Sequence, residues 1–202
     1  MRKIVAGLFM SLDGVVESPG TWAFQRYLDA EQGQMISAGI VEADAVLLGR
    51  RTYEEFVRLW PGQPDSVPMA RFLNGSPKYV VSSSLRTPLE WANSTLLRGD
   101  LAQELTALKN LPGKNIQVPG SPALVRALVR DGLLDELALS ICPVVVGTGA
   151  RLFDETTRNL SLRLVQSRTL ASGVLAVTYE PKRSGDGAAE RGVSFPLAAA
   201  RS

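Results

Sequence analysis

Two spacings of apolar residues alternate along this chain. Short apolar runs at 3–9, 45–48, 79–83, 115–118 and 137–141 have the length of strands, and a run at 95–97 fits the same pattern. Between them, apolar residues recur every three or four positions, which puts them on one side of a helix. Met35, Ile36, Gly39 and Ile40 do so within 29–43. Tyr53, Phe56, Val57 and Trp60 follow, then Leu101, Leu105, Leu108 and Leu111, then Leu124, Val125, Leu128 and Val129. Asp100 and Ser121 stand at N-cap positions, with Pro122 at the first helical position, and Gly132 ends the last of these helices. Near the end, Leu160, Leu162 and Leu164 lead into Ala171, Ser172 and Gly173, and an alternating run over 174–179 leads out, as in a hairpin. Strands alternating with helices predict an α/β fold of three layers. A mostly parallel central sheet has helices on both faces and a C-terminal antiparallel hairpin. Beyond 181 the apolar period stops, so we expect one domain over 1–181 and a flexible tail over 182–202.

The stretch 44–56 carries the most pointed chemistry. An apolar strand turns on Gly49, presents Arg50 and Arg51, and enters a helix expected to start at Thr52. Thr52 and Glu55 have capping-box spacing. Free N–H groups and the positive end of a helix dipole at such a turn suit a phosphate. The same place is equally an ordinary strand-to-helix turn with two solvated arginines. Two further strand ends carry small or hydroxylic residues, Ser82–Ser84 and Gly120–Pro122. Ligands of open α/β sheets gather at the carboxyl ends of strands. Together the three could cradle a pyrophosphate and an adenosine phosphate. An arginine suits a 2′-phosphate, which favours NADPH over NADH. Gly147-Thr148-Gly149 lacks the third glycine of the dinucleotide fingerprint and reads as a loop. Trp22 reads as a hydrophobic plug that could also shield a flat ligand, and Asp13 as a turn residue more than a base; both are expected beside the substrate.

Composition narrows the options. The 45% hydrophobic and 21% charged content is ordinary for a globular protein, and no run approaches the roughly 20 apolar residues of a membrane span. The chain contains no histidine. Ser-His-Asp and Cys-His nucleophile systems and histidine metal sites are therefore excluded. Proton transfer falls to a carboxylate, tyrosine, lysine or water. The one cysteine, Cys142, lies in an apolar run, which fits a buried thiol and a cytoplasmic location. The last 21 residues hold four basic and two acidic side chains, so the remainder is charge-balanced and no nucleic-acid footprint is expected.

The motifs taken in order resemble the dihydrofolate reductase superfamily, and most of all the RibD C-terminal domain family. The stretches that carry the resemblance are Met10-Ser-Leu-Asp-Gly14, Leu48-Gly-Arg-Arg-Thr-Tyr-Glu54, Val80-Val-Ser-Ser83, Gly120-Ser-Pro-Ala-Leu124 and the long run from Leu134 to Phe153. The resemblance implies a dihydrofolate-reductase-like fold and NADPH as cofactor. Gly49, Arg50, Arg51 and Thr52 match the segment that grips the cofactor's phosphates. Ser82 and Ser83 match the strand end beside the 2′-phosphate, and Gly120, Ser121 and Pro122 the turn under the pyrophosphate and nicotinamide. Met10 matches a cofactor-lining position, and Trp22 an aromatic on the nicotinamide side.

The chain also departs from folate reductases. They carry a Gly-Gly pair where this chain has Pro119-Gly120, and an arginine and a tyrosine where it has Pro122 and Leu124. Asp29 and Glu31 are the carboxylates nearest the family's catalytic position. The zinc deaminase often fused to riboflavin-pathway reductases needs a His and a Cys-x-x-Cys, which are missing, so that activity is excluded. The expected activity is hydride transfer from NADPH to a pterin-, pyrimidine- or flavin-like heterocycle or a carbonyl, by a homodimer. The alternative is a nucleotide-binding regulatory module on the same fold without efficient turnover.

Overall fold

The computed structural model describes residues 1–154, 157 and 160–182. The expected tail therefore lies outside the described residues except for Lys182. Eight strands form one sheet: β1 (Ile4–Ser11), β2 (Ala43–Gly49), β3 (Lys78–Val81), β4 (Ser94–Leu97), β5 (Asn115–Gly120), β6 (Glu136–Cys142), β7 (Leu162–Thr169) and β8 (Leu175–Pro181). Their spatial order is β4-β3-β2-β5-β1-β6-β8-β7. β4 through β6 in that order pair in parallel. β8 runs antiparallel to β6, and β7 to β8, which is the expected hairpin.

The helices are α1 (Pro19–Trp22), α2 (Phe24–Tyr27), α3 (Ala30–Val41), α4 (Arg50–Leu59), α5 (Pro68–Gly75), α6 (Leu101–Asn110) and α7 (Pro122–Arg130). They divide between the two sheet faces because strand residues alternate sides. Ala45, Leu47, Ile116 and Val118 pack with Leu105, Leu124 and Leu128 of α6 and α7. Val46, Leu48 and Val80 point the other way and pack with Tyr53, Leu73 and Trp91 under α4 and α5. A smaller cluster of Ala23, Cys142, Leu170 and Val174, joined by Phe9, Trp22 and Met35, lies under α1 to α3.

Two elements differ from the sequence reading. α5 follows the proline-rich connector expected over 61–68, at a place where the sequence reading has no helix. It spans only two turns, too short for its buried Ala70 and Leu73 to declare a period, and Pro68 opens it. α4 begins at Arg50, not Thr52; Gly49 is the N-cap and offers no side chain. β2 stays in the sheet up to Gly49, opposite Val81, so the helix must start at once. Thr52 is thereby carried into the first turn and buried.

The opposite edge of the sheet is clasped by polar groups. Arg2 pairs with Asp44 and donates Nε to Lys114 O at 2.7 Å. Asp135 accepts Ile4 N at 2.8 Å and the ammonium of Lys109 at 2.6 Å. Lys78 is fully buried at the start of β3, where its Nζ donates to Leu73 O at 2.7 Å and Ser76 O at 2.8 Å. Its ammonium also lies 4.7 Å from the Trp91 ring centre. The last carbonyls of α5 are satisfied this way. These clasps leave the carboxyl edge of the parallel strands free for other work.

Candidate active site

Parallel pairing puts the ends of β3, β2, β5 and β1 side by side on one edge. The sequence-predicted residues fall along that edge in the order Ser82 and Ser83, Gly49 to Thr52, Gly120 to Pro122, then Met10. Leu48 is level with Gly120 across the β2–β5 pair. The two glycine turns therefore touch. A Cβ on Gly49 would overlap Ser121 Oγ and sit 3.0 Å from the Ser121 backbone nitrogen. A Cβ on Gly120, whose φ is +148°, would sit 2.7 Å from Thr52 Oγ1. Glycine is required at both places, by crowding at the first and by crowding and φ at the second.

Around this contact the N-termini of α4 and α7 converge. Gly49 caps one and Ser121 the other, neither with a side-chain hydrogen bond. Thr52 and Ser121 are 9% and 8% exposed. Neither hydroxyl is hydrogen-bonded within the described residues, and neither oxygen is among the fully buried unpartnered atoms, so both face the open edge. Two such hydroxyls beside two helix N-termini make a ready anion cradle. Arg50 and Arg51 are exposed at its rim. Arg50 is held along the helix by Glu54 at 3.0 Å, whereas Arg51 has no ion pair among the described residues. Ser82 Oγ accepts from Ser84 N at 3.2 Å and Leu85 N at 3.1 Å, which closes a tight turn and leaves Ser83 exposed. Arg98, at the end of β4, reaches the same turn through Leu85 O. Sequence reading passed over Arg98 because its proximity depends on β4 pairing with β3.

The residues expected on the substrate side are committed to structure. Asp13 accepts from Ser11 Oγ at 2.6 Å, Val146 N at 3.0 Å and Gly147 N at 2.9 Å. The Ser11 hydroxyl and these amides pull its carboxyl down to about 2. Asp29 caps α3 by accepting Gln32 N at 2.8 Å, and that bond lowers its pKa. Glu31 pairs with Arg168 and accepts Ala171 N at 3.3 Å, tying α3 to the terminal hairpin. Trp22 donates its indole to Glu17 O at 2.9 Å and packs on the third cluster. Met10 is half-buried against the main core. Burial raises the Cys142 thiol to about 11, which keeps it protonated and unreactive at neutral pH.

A shallow depression of about 460 Å³ runs along α4 between Arg51, Glu54, Glu55, Arg58 and Leu59. Its two acids and two bases share the outer side of α4 and offset each other, so it selects no ligand charge.

The model of the RibD C-terminal domain matches residues 2–176. The chain belongs to the RibD C-terminal domain family. Bacillus subtilis (strain 168) has two relatives, the uncharacterized proteins YyaP and YwjB. YyaP is 30% identical over 182 residues, covering 88% of this chain and 94% of its own. YwjB is 29% identical over 174 residues, covering 86% and 95%. Among solved structures, a putative riboflavin biosynthesis protein from Shewanella sp. PV-4 superposes with a TM-score of 0.71 at 20% identity, covering 90% of this chain and 99% of its own. The dihydrofolate reductase of Enterococcus faecalis superposes with a TM-score of 0.60 at 14% identity, covering 90% and 97%. The fold is thus one that a dihydrofolate reductase shares. Among the described residues, no helix is long and apolar enough to cross a membrane.

Proposed function

We propose that this RibD C-terminal domain protein is an NADPH-dependent reductase. The contact between the Gly49 and Gly120 turns carries the reading. It joins two helix N-termini, two glycines that let the turns meet closely, and two hydroxyls not bonded within the described residues, and that donor set fits a pyrophosphate. Support also comes from the Enterococcus dihydrofolate reductase of the same fold, whose structure is a complex with NADP(H). Arg51, Ser83 and Arg98 are the groups available to a 2′-phosphate further along the edge. Bound there, the cofactor supplies a hydride from its nicotinamide to a pterin-, pyrimidine- or flavin-like heterocycle or a carbonyl. The protein's part would be position and field: Thr52 and Ser121 would hold phosphate oxygens, and Met10 at the β1 end would line the nicotinamide side. Asp13, Asp29 and Glu31 are already engaged, so we assign protonation of the product to water.

That engagement of the carboxylates also favours the second reading, a nucleotide-binding module without efficient turnover. Titration with NADPH and NADH, followed by nicotinamide absorbance with pterin, pyrimidine and flavin acceptors, separates the two. We expect Arg51→Ala to weaken NADPH by about tenfold, the worth of one charge-assisted contact, and NADH much less. Arg50→Ala should do less, since Glu54 already holds that guanidinium. Equal losses for both cofactors would contradict the phosphate assignment, and binding without turnover would select the module.

A further inference from the structure

α4 begins with charges that work against its own stability. Its first two residues are Arg50 and Arg51, its first turn has no acidic residue, and its cap is Gly49. Cations are disfavoured at the positive end of a helix dipole. α3 and α6 show the ordinary arrangement. Asp29 caps the first and Asp100 the second, each accepting a backbone N–H, with Glu31 and Glu104 in the first turn.

Glu54 is the group that compensates one of the two arginines. Arg50 Nη1 donates to Glu54 Oε1 at 3.0 Å and to Oε2 at 3.1 Å. A single nitrogen spans both oxygens, so the pair lacks the two parallel bonds of a guanidinium–carboxylate fork. Arg50 Nε and Nη2 donate to nothing among the described residues. The two side chains are 43% and 38% exposed. The cation-first order is also the poorer one for a pair four residues apart on a helix. Such a pair is weak, and a phosphate can compete for the guanidinium. The next carboxylate, Glu55, is exposed and pairs with no arginine among the described residues.

We infer that Glu54 is a positioning residue that limits how tightly the site binds a dinucleotide: it holds Arg50 along the helix and withholds it from phosphates at the Gly49 turn. The inference rests on the NADPH reading and adds an internal competitor to it. Binding then requires Arg50 to exchange one anionic partner for another, and the carboxylate left behind repels the incoming charge. Removing that carboxylate should improve binding, a gain that loss of structure cannot produce.

The test titrates the full chain with NADPH and compares Glu54→Gln with wild type. Affinity should rise about fivefold, the ceiling for an exposed ion pair. NADH should tighten by the same factor, since Arg50 stands at the turn assigned to the pyrophosphate. Arg50→Ala, mild in the wild type, should cost about tenfold in the Glu54→Gln background, because there the guanidinium holds a phosphate. Glu55→Gln removes the same charge one position on and should change affinity by less than about twofold. Glu54→Ala, a substitution that favours the helix, should tighten NADPH as well, so the outcome does not hang on one variant. Unchanged or weaker NADPH binding by both Glu54 variants overturns the inference. An equal gain in Glu55→Gln, or from Glu54→Gln on top of Arg50→Ala, overturns it too, because the effect would then be one of diffuse charge. The NADPH reading survives each of those results. Failure of the wild type to bind NADPH overturns that reading, and this inference with it.

Discussion

Gly49 is the residue on which the site closes. Its φ is an ordinary extended value of −77°, so its backbone does not need glycine. The requirement is contact: Ser121 occupies the volume a side chain would take. Gly49→Ala must therefore push β2 and β5 apart or displace Ser121. We expect a loss of roughly 1–3 kcal/mol in stability, the usual range for an overpacked site, together with weakened NADPH binding. Urea unfolding at neutral pH measures the first. A wild-type midpoint in the variant would show that the two turns are looser than described. The sequence marks Gly49 as a turn but not as a close contact. Its neighbour across the sheet arrives 72 positions later, so its crowding is invisible locally.

At the scale of elements, the turn after β1 and the loop after β6 are zipped together. Asp13 takes amides from Val146 and Gly147, Glu17 takes Ala150 N at 2.9 Å, and Val15 bridges to Arg151. Asp13 titrates at about 2 in the fold, against an ordinary 3.8 when the chain is unfolded. A depressed carboxylate stabilises the fold above its unfolded pKa. Its contribution should be complete above about pH 4 and fade as pH falls toward 2. Asp13→Asn should flatten that limb of the stability-versus-pH curve while lowering stability at neutral pH. An unchanged acid limb would mean that other carboxylates govern it. The same zipper fits Asp13's reading as a turn residue in sequence. The Ser11-Leu-Asp-Gly14 composition specifies a turn, but the partner loop lies 133 residues on.

On the scale of the whole molecule, the terminal hairpin leaves β7 as an edge strand. Leu164 and Val165 are 51% and 48% exposed on it, and its outer backbone is unpaired within the sheet. Exposed edges with apolar residues are normally covered. We expect a homodimer through the hairpin or the adjoining sheet. Light scattering at micromolar concentration should give twice the 21.8 kDa chain mass, and a monomer there would count against it.

By itself, the sequence determined the succession of strands and helices, the parallel sheet with its late hairpin, and the three strand ends rich in glycine and hydroxyls. Those follow from periodicity, caps and turn residues, which act over a few neighbouring positions. Tertiary structure decided the rest. It placed β5 between β2 and β1, which brought Gly49 against Gly120 and buried Thr52. It spent Asp29, Glu31 and Asp13 on caps and loops. Each of these depends on which strands become neighbours, and strand order is set by packing across long separations rather than by local preference.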